Sequence, residues 1–479
     1  MQSETPIADI CLLLEGTWPY VRGGVSSWVN QLILGLPDFT FSVVFIGGQR
    51  EAYGERQYRI PANVVHIEEH FLESAWRPVE ALGRVGHEGA GETMRQMHRY
   101  LHDPGIQDEA LGEGLLDTLA SGRLCLEDVL RSRSSWEAIT EGYTRHCSDP
   151  SFVNYFWTLR TMHAPIVMLS QVAARLPRAR ALHSISTGYA GLLGAVLQRR
   201  WQCAYMLSEH GIYTKERKID LAQASWISEG PDEALRTGLD TEFSYIRNLW
   251  IRFFERIGLL TYRAADPIIS LYAGNRQRQI ADGAHPSRTR VIPNGIAMAA
   301  WTDALQRRPV GIAPVVGLVG RVVPIKDVKT FIRAMRGVVS AIPEAEGWVV
   351  GPEEEDRAYA AECRSLVASL GLEGKVKFLG FRQIHDLLPN LGLMVLTSIS
   401  EAQPLVIREA WAAGTPVVSS DVGSCRELIE GAADESPPLG CAGEVVAIAD
   451  PQATARAIIG LLGNPERGRA AQAVGLERV

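Results

Sequence analysis

Short apolar runs separated by helical stretches organise this chain of 479 residues. Near the N-terminus Ile10 to Leu14 is an apolar run, Glu15 to Gly24 a turn-rich stretch, and Val25 to Leu36 has apolar residues at helical spacing. A second run follows at Phe41 to Ile46. This order predicts strand, turn, helix and strand, the opening of an α/β domain with a parallel sheet. From about residue 70 to 165 the strand signal stops. Glu, Arg, His and Leu at helical spacing predict a helical insertion. Strand patterns resume at Ala181 to Ser186, Ala204 to Ser208 and Pro267 to Leu271. The segment Leu249 to Leu260 has helical spacing with Arg247, Arg252, Arg256 and Arg263 interleaved, which suits either a core helix with a charged edge or a membrane-surface helix.

A breaker cluster, Asp282-Gly-Ala-His-Pro-Ser, places a domain junction at 285/286. The rhythm then restarts, with strands expected at Val315 to Val319, Gly347 to Val350, Val376 to Leu379, Leu393 to Leu396, Val417 to Ser419 and Glu444 to Ala447. The expected architecture is two doubly wound Rossmann-like domains, 1–285 and 286–479, facing each other across a cleft.

Charge narrows the function. Lys and Arg total 48 against 55 Asp and Glu, a formal net charge of −7, which argues against a nucleic-acid binder. No run approaches the roughly 18 apolar residues of a membrane span. The N-terminal segment carries Glu4 and Asp9 and lacks a basic start, so no secretory signal is expected. Seven cysteines without a C-x-x-C pair suggest reduced thiols and a cytoplasmic location. His66 with His70, and His98 with His102, have i, i+4 spacing but no supporting ligand set, so no metal site is expected.

The candidate chemistry lies on loops after strands. Glu401 follows Leu393 to Leu396, and Glu409 lies about two turns into the helix that Pro404 opens and Gly414 closes. Acidic acceptors at the carboxyl ends of parallel strands suit a hydroxyl-rich ligand such as a sugar or ribose; a solvated helix face is the alternative. Arg321 and Lys326 follow Val315 to Val319 and can hold a diphosphate and neutralise a leaving group, or be surface cations. Gly23 and Gly24 open a helix and permit close approach of a phosphate. His183 and His210 end two strands of the first half and can bond sugar hydroxyls, or be buried structural histidines. Phe381 either borders a base or belongs to the core.

The order of these features resembles the retaining family 4 glycosyltransferases of the GT-B fold. The matching pieces are Gly23-Gly24, Val291-Ile-Pro-Asn-Gly-Ile296, Gly320-Arg321 with Lys326, Phe378-Leu-Gly-Phe381, Glu401 to Glu409 and Asp421-Val-Gly-Ser-Cys-Arg-Glu427. Leu14 to Trp28, Ser208 to Arg217 and Asp266 to Arg276 resemble the PelF-type enzymes of Pel exopolysaccharide synthesis. The resemblance implies a UDP-sugar donor with Arg321 and Lys326 on its diphosphate, Glu409 on the ribose, Glu401 on the sugar, and Leu405 and Phe381 bordering the nucleotide. Gly23-Gly24 would close over the phosphates, and a polysaccharide acceptor would enter near His183 and His210. No cofactor or bound metal is implied. Partners would be membrane-embedded export or synthase proteins, with the enzyme cytoplasmic or peripheral to the inner membrane. The chain departs from the pattern at Ala402-Gln403, where the family has a glycine-aromatic pair, and in lacking before Val479 the family's C-terminal helix that crosses back to the first domain. A UDP-sugar epimerase and a non-catalytic sugar-nucleotide-binding subunit are the alternative functions.

Overall fold

The computed structural model describes residues 6–76, 90–105, 108–130, 132–148, 151–223, 245–309, 311, 313–433 and 435–479. The chain divides into two compact units, Met1–Ile292 and Pro293–Val479.

The first unit is built on a seven-stranded sheet. Its strands are β1 (Ala8–Glu15), β2 (Phe41–Gly47), β3 (Val64–Phe71), β4 (Ala179–Ser184), β5 (Ala204–Glu209), β6 (Ile268–Ser270) and β7 (Thr289–Val291). The order is β3-β2-β1-β4-β5-β6-β7, with every pairing parallel. β2 is buried along its whole length, which is why it reads as a continuous apolar run. The two strands absent from the sequence reading are the edge strands. β3 is a half-exposed mixture, Val-Val-His-Ile-Glu-Glu-His-Phe, and β7 has only three residues. Because β7 pairs with β6, the first unit runs to Ile292 rather than ending at 285. His66 and His70 lie on β3, and both bond the Glu68 carboxylate, at 2.9 and 3.0 Å.

The helical insertion begins after β3 and comprises Ala90–His102, Glu109–Ser121, Leu126–Leu130, Arg133–His146 and Phe152–Arg175. Residues 77–89 within the expected insertion lie outside the described residues. It extends past 165 because Pro165 sits inside its last helix rather than ending it. Asp108, Ser132 and Ser151 cap three of these helices with side-chain oxygens. Met97, Tyr100, Leu115 and Leu159 join Leu13, Val44 and Leu182 of the sheet in one core. The insertion is therefore a layer of this unit, not an appendage. His98 and His102 face inward, with His98 on the Tyr155 hydroxyl at 3.2 Å and His102 on His163 at 2.7 Å. The arginine-bearing segment is the helix Tyr245–Ala264. It buries Leu249, Trp250, Phe253, Ile257 and Leu260, so the core-helix reading holds.

The second unit has a six-stranded parallel sheet: β8 (Val315–Val319), β9 (Glu346–Val350), β10 (Val376–Gly380), β11 (Leu393–Leu396), β12 (Val417–Ser420) and β13 (Gly443–Val446). Its order is β10-β9-β8-β11-β12-β13. The strand order reverses between β8 and β11, which are neighbours at the sheet centre. Such a reversal opens a crevice beyond the carboxyl ends of the two strands. The last helix, Pro465–Arg478, packs within this unit and places Gly475 against the ring of buried Trp411.

Candidate functional site

The crevice at the β8/β11 reversal collects most of the residues singled out in the second half. Gly320 follows β8, and its N–H donates to the Val350 carbonyl at 2.9 Å. The neighbouring turn after β9 approaches so closely that a Cβ on Gly351 would sit 1.9 Å from the Gly320 oxygen. Only glycine fits there, and the contact fixes where Arg321 leaves the sheet. Residues 324–326 form a single tight turn. Asp327 then caps the helix Val328–Ala341 by accepting the Thr330 N–H at 3.2 Å.

The loop after β11 is bound to that turn. Ile399 N–H donates to Ile325 O at 2.9 Å, and the Thr397 hydroxyl to the carbonyls of Lys326 and Asp327 at 3.0 Å each. These bonds bring Lys326 Nζ onto Glu401 Oε1, which also accepts the Ser398 hydroxyl at 2.7 Å. The two side chains are only 21% and 14% exposed, so this ion pair is shielded from water more than a surface pair. Under Glu401 the chain folds back. Ser424 N–H donates to Ala402 O at 2.8 Å. Gly423, at φ +56°, leaves no room for a Cβ, which would lie 2.3 Å from the oxygens of both Glu401 and Ala402. The Ala402-Gln403 departure from the family pattern has a structural use: the Gln403 side-chain oxygen accepts the Asn294 N–H at 2.6 Å.

Glu409 lies on the helix Leu405–Ala412, which starts after Pro404 and begins at Leu405. Ile407, Ala410 and Trp411 bury the opposite face. A buried tryptophan of this kind stabilises by about 3–5 kcal/mol relative to alanine, which anchors the helix. Burial pushes the Glu409 carboxyl up to about 7, and no hydrogen bond or ion pair reaches it among the described residues. A shielded carboxylate without a donor is costly unless a ligand supplies one.

Arg321 does not join the Lys326–Glu401 pair. Its Nη1 meets both oxygens of Glu355, at 2.5 and 2.7 Å. Phe381, 63% exposed, is not a core residue. It lines a 580 Å³ cavity with Trp348, Leu379, Arg382 and Leu387.

In the first unit, Gly23 and Gly24 stand at the N-terminus of the helix Gly24–Gly35, with open space beside both. Trp28 of that helix presses edge-on against His183 and His210, with ring centroids 5.8 and 4.6 Å apart. The structure thus brings the glycine pair's helix and both histidines together. His183 shares a hydrogen bond with Ser208 at 2.8 Å. Burial lowers both imidazoles to about 4, so both are neutral at pH 7. His210 Nε2 is buried without a hydrogen-bond partner among the described residues. The preceding Glu209 is fully buried and has a structural role. It accepts from Thr187, the Tyr213 N–H, Tyr262 and Gln279, while burial raises its carboxyl.

Two of these participants were not singled out from sequence. Trp28 resembles any apolar helix position. Glu355 lies in an acidic run, Glu353 to Asp356, that reads as a solvated turn.

Comparison with known proteins agrees with this geometry. Residues 8–287 match a family described as a domain of unknown function, DUF3492, and residues 313–464 match the glycosyl transferases group 1 family. The chain is 26% identical over 303 residues to a D-inositol 3-phosphate glycosyltransferase of Streptomyces coelicolor, covering 59% of this chain and 61% of the relative. It is 35% identical over 217 residues to a protein of that name from Salinispora arenicola, covering 41% of this chain and 46% of the relative. The chain spans about half the length of the curated relatives it matches. Among solved structures, Anabaena HepE in complex with UDP and glucose superposes with a TM-score of 0.57 at 16% identity, covering 98% of this chain and 94% of that one. Sucrose-phosphate synthase from Thermosynechococcus elongatus gives a TM-score of 0.54 at 18% identity, again covering 98% and 94%. Two parallel α/β sheets with these neighbours define a GT-B fold. The chain belongs to the DUF3492 family, and its second unit carries the match to the glycosyl transferases group 1 family.

Proposed function

We propose that the enzyme transfers a hexose or N-acetylhexosamine from a UDP-sugar to a growing exopolysaccharide, of the Pel type, with retention at the anomeric carbon. One observation carries the donor assignment. At the β8/β11 reversal an amine and a carboxylate are held together, and the next helix offers a shielded carboxylate with no partner among the described residues. Lys326 and Arg321 take the diphosphate, Glu401 the sugar hydroxyls and Glu409 the ribose hydroxyls. Leu405 and Phe381 border the nucleotide. In the reaction the bond from the anomeric carbon to the diphosphate oxygen breaks, and the acceptor oxygen bonds that carbon on the same face. The acceptor proton passes to the departing diphosphate, whose growing charge the two cations stabilise. No side chain serves as nucleophile, and the cations do the charge-neutralising work without a metal. His183 and His210 act as neutral hydrogen-bonding groups toward the acceptor. Membrane-embedded synthase or export proteins at the cytoplasmic face are the proposed partners.

The test is UDP release across a panel of UDP-sugars, with mass analysis of the products and a parallel series in EDTA. Turnover should survive chelation. Glu409→Ala should weaken binding of UDP itself by roughly 10- to 100-fold, the loss of one charged hydrogen bond of about 1.5–3 kcal/mol. Glu401→Ala should not weaken UDP and should depress turnover, because the only part of the donor it meets is the sugar, and its loss leaves Lys326 free for the diphosphate. Reversal of that pattern would exchange the two roles. Interconversion of donors without an acceptor would identify an epimerase instead. Binding without UDP release would identify a silent subunit.

A further inference from the structure

The loop after β9 reads Gly351-Pro-Glu-Glu-Glu-Asp356 and places four consecutive acids beside cations assigned to a diphosphate. Acids there oppose an anion, so their presence calls for a reason. Three have local bonds. Asp356 caps the helix Arg357–Ser369 by accepting the Tyr359 N–H at 2.9 Å. Glu353 accepts Arg364 Nη2 at 2.8 and 2.9 Å. Glu354 accepts the Glu353 N–H at 3.0 Å. Glu355 is the member of the run that reaches Arg321, with both oxygens on one guanidinium nitrogen. The backbone sets this approach, since Val322 N–H donates to Pro352 O at 2.9 Å and clamps the acidic loop to the segment beyond Arg321. The other cation follows the same pattern, with Lys326 held by Glu401.

We propose that Glu355 is a positioning residue that holds Arg321 in the donor-free protein and yields it to the donor diphosphate. Donor entry then exchanges a carboxylate for a phosphate at each of the two cations. This rests on the donor-site reading above. The exchange favours ligands of high charge, because a diphosphate offers more charge and more oxygens than the carboxylate it displaces. It also favours release, because the carboxylate re-engages Arg321 as the nucleoside diphosphate leaves. Arg321 and Glu355 are each 51% exposed, so their pair is weak enough to be displaced. At Lys326 the same exchange frees Glu401 for the sugar.

The experiment is calorimetric titration of the full chain with UDP, with inorganic pyrophosphate and with uridine. The variants are Glu355→Gln, Glu354→Gln, Arg321→Ala and the Arg321→Ala/Glu355→Gln double variant. Glu355→Gln should tighten UDP and pyrophosphate by about threefold to fivefold, the scale of an exposed ion pair, and leave uridine unchanged. Glu354→Gln removes the same charge from the same loop without touching Arg321, and should change neither probe. The tightening should vanish when Arg321 is already alanine. Unchanged or weaker binding in Glu355→Gln overturns the proposal, as does equal tightening without Arg321. Pyrophosphate binding with the expected Glu355 effect, but no binding of UDP, would overturn the uridine assignment and leave the exchange standing. Binding of neither probe overturns both.

Discussion

Glu409 is the residue whose setting most constrains the chemistry. Its carboxyl is raised to about 7 by burial, while the ionised form is the better acceptor for ribose hydroxyls. Binding should therefore draw a proton off Glu409. UDP affinity of the wild-type chain, relative to Glu409→Gln, should rise between pH 5.5 and 7 and level off above it, as read by calorimetry. A constant ratio across that range would separate Glu409 from the ligand. Folding has the opposite sign of linkage. A carboxyl raised in the folded state costs stability as pH climbs from the ordinary value of 4.5 toward 7. Glu401 and Glu409 were legible in the sequence because Pro404 and Gly414 bracket the helix between an apolar strand and a breaker. Glu355 was not legible, because only a tertiary hydrogen bond between two strand exits carries it to Arg321.

At the scale of elements, the central strands announce themselves and the edges do not. Val315–Val319 and Leu393–Leu396 are apolar throughout because they run beneath covering layers on both faces. β3 carries four ionisable side chains, His66, Glu68, Glu69 and His70, since an edge strand is half wet and need not alternate cleanly. The glycine contacts between loops were also hidden, because a close approach leaves no periodic signal. Gly423 gives the sharpest test. Alanine there would place a Cβ 2.3 Å from two carbonyl oxygens at φ +56°. The substitution should destabilise the second unit by about 1–3 kcal/mol and push aside the Glu401 loop. A thermal melt and a UDP-release assay should show a lowered Tm with turnover falling further than Tm alone explains. Unchanged turnover in a folded variant would remove the loop from the reaction.

For the whole molecule, the repeated α/β rhythm was readable because each of the two sheets needs its own buried strands and its own core. The role of the insertion was not, since its helices serve the first unit's core rather than any motif. Among the described residues no helix is long and apolar enough to cross a membrane. Of the cysteines, Cys441 is exposed while Cys11, Cys363 and Cys425 are buried. Cys425 immediately follows Ser424, the residue tied to Ala402 beneath Glu401. Burial pushes its thiol up to about 12, so it stays inert to disulfide reagents until that floor lifts. Cys425 is thus a built-in clock for opening of the crevice. With Cys441 replaced by serine, peptide mapping after timed alkylation should show Cys425 modified slowly, and more slowly still when UDP is bound. Equal rates with and without UDP would mean that the floor beneath Glu401 breathes independently of the nucleotide.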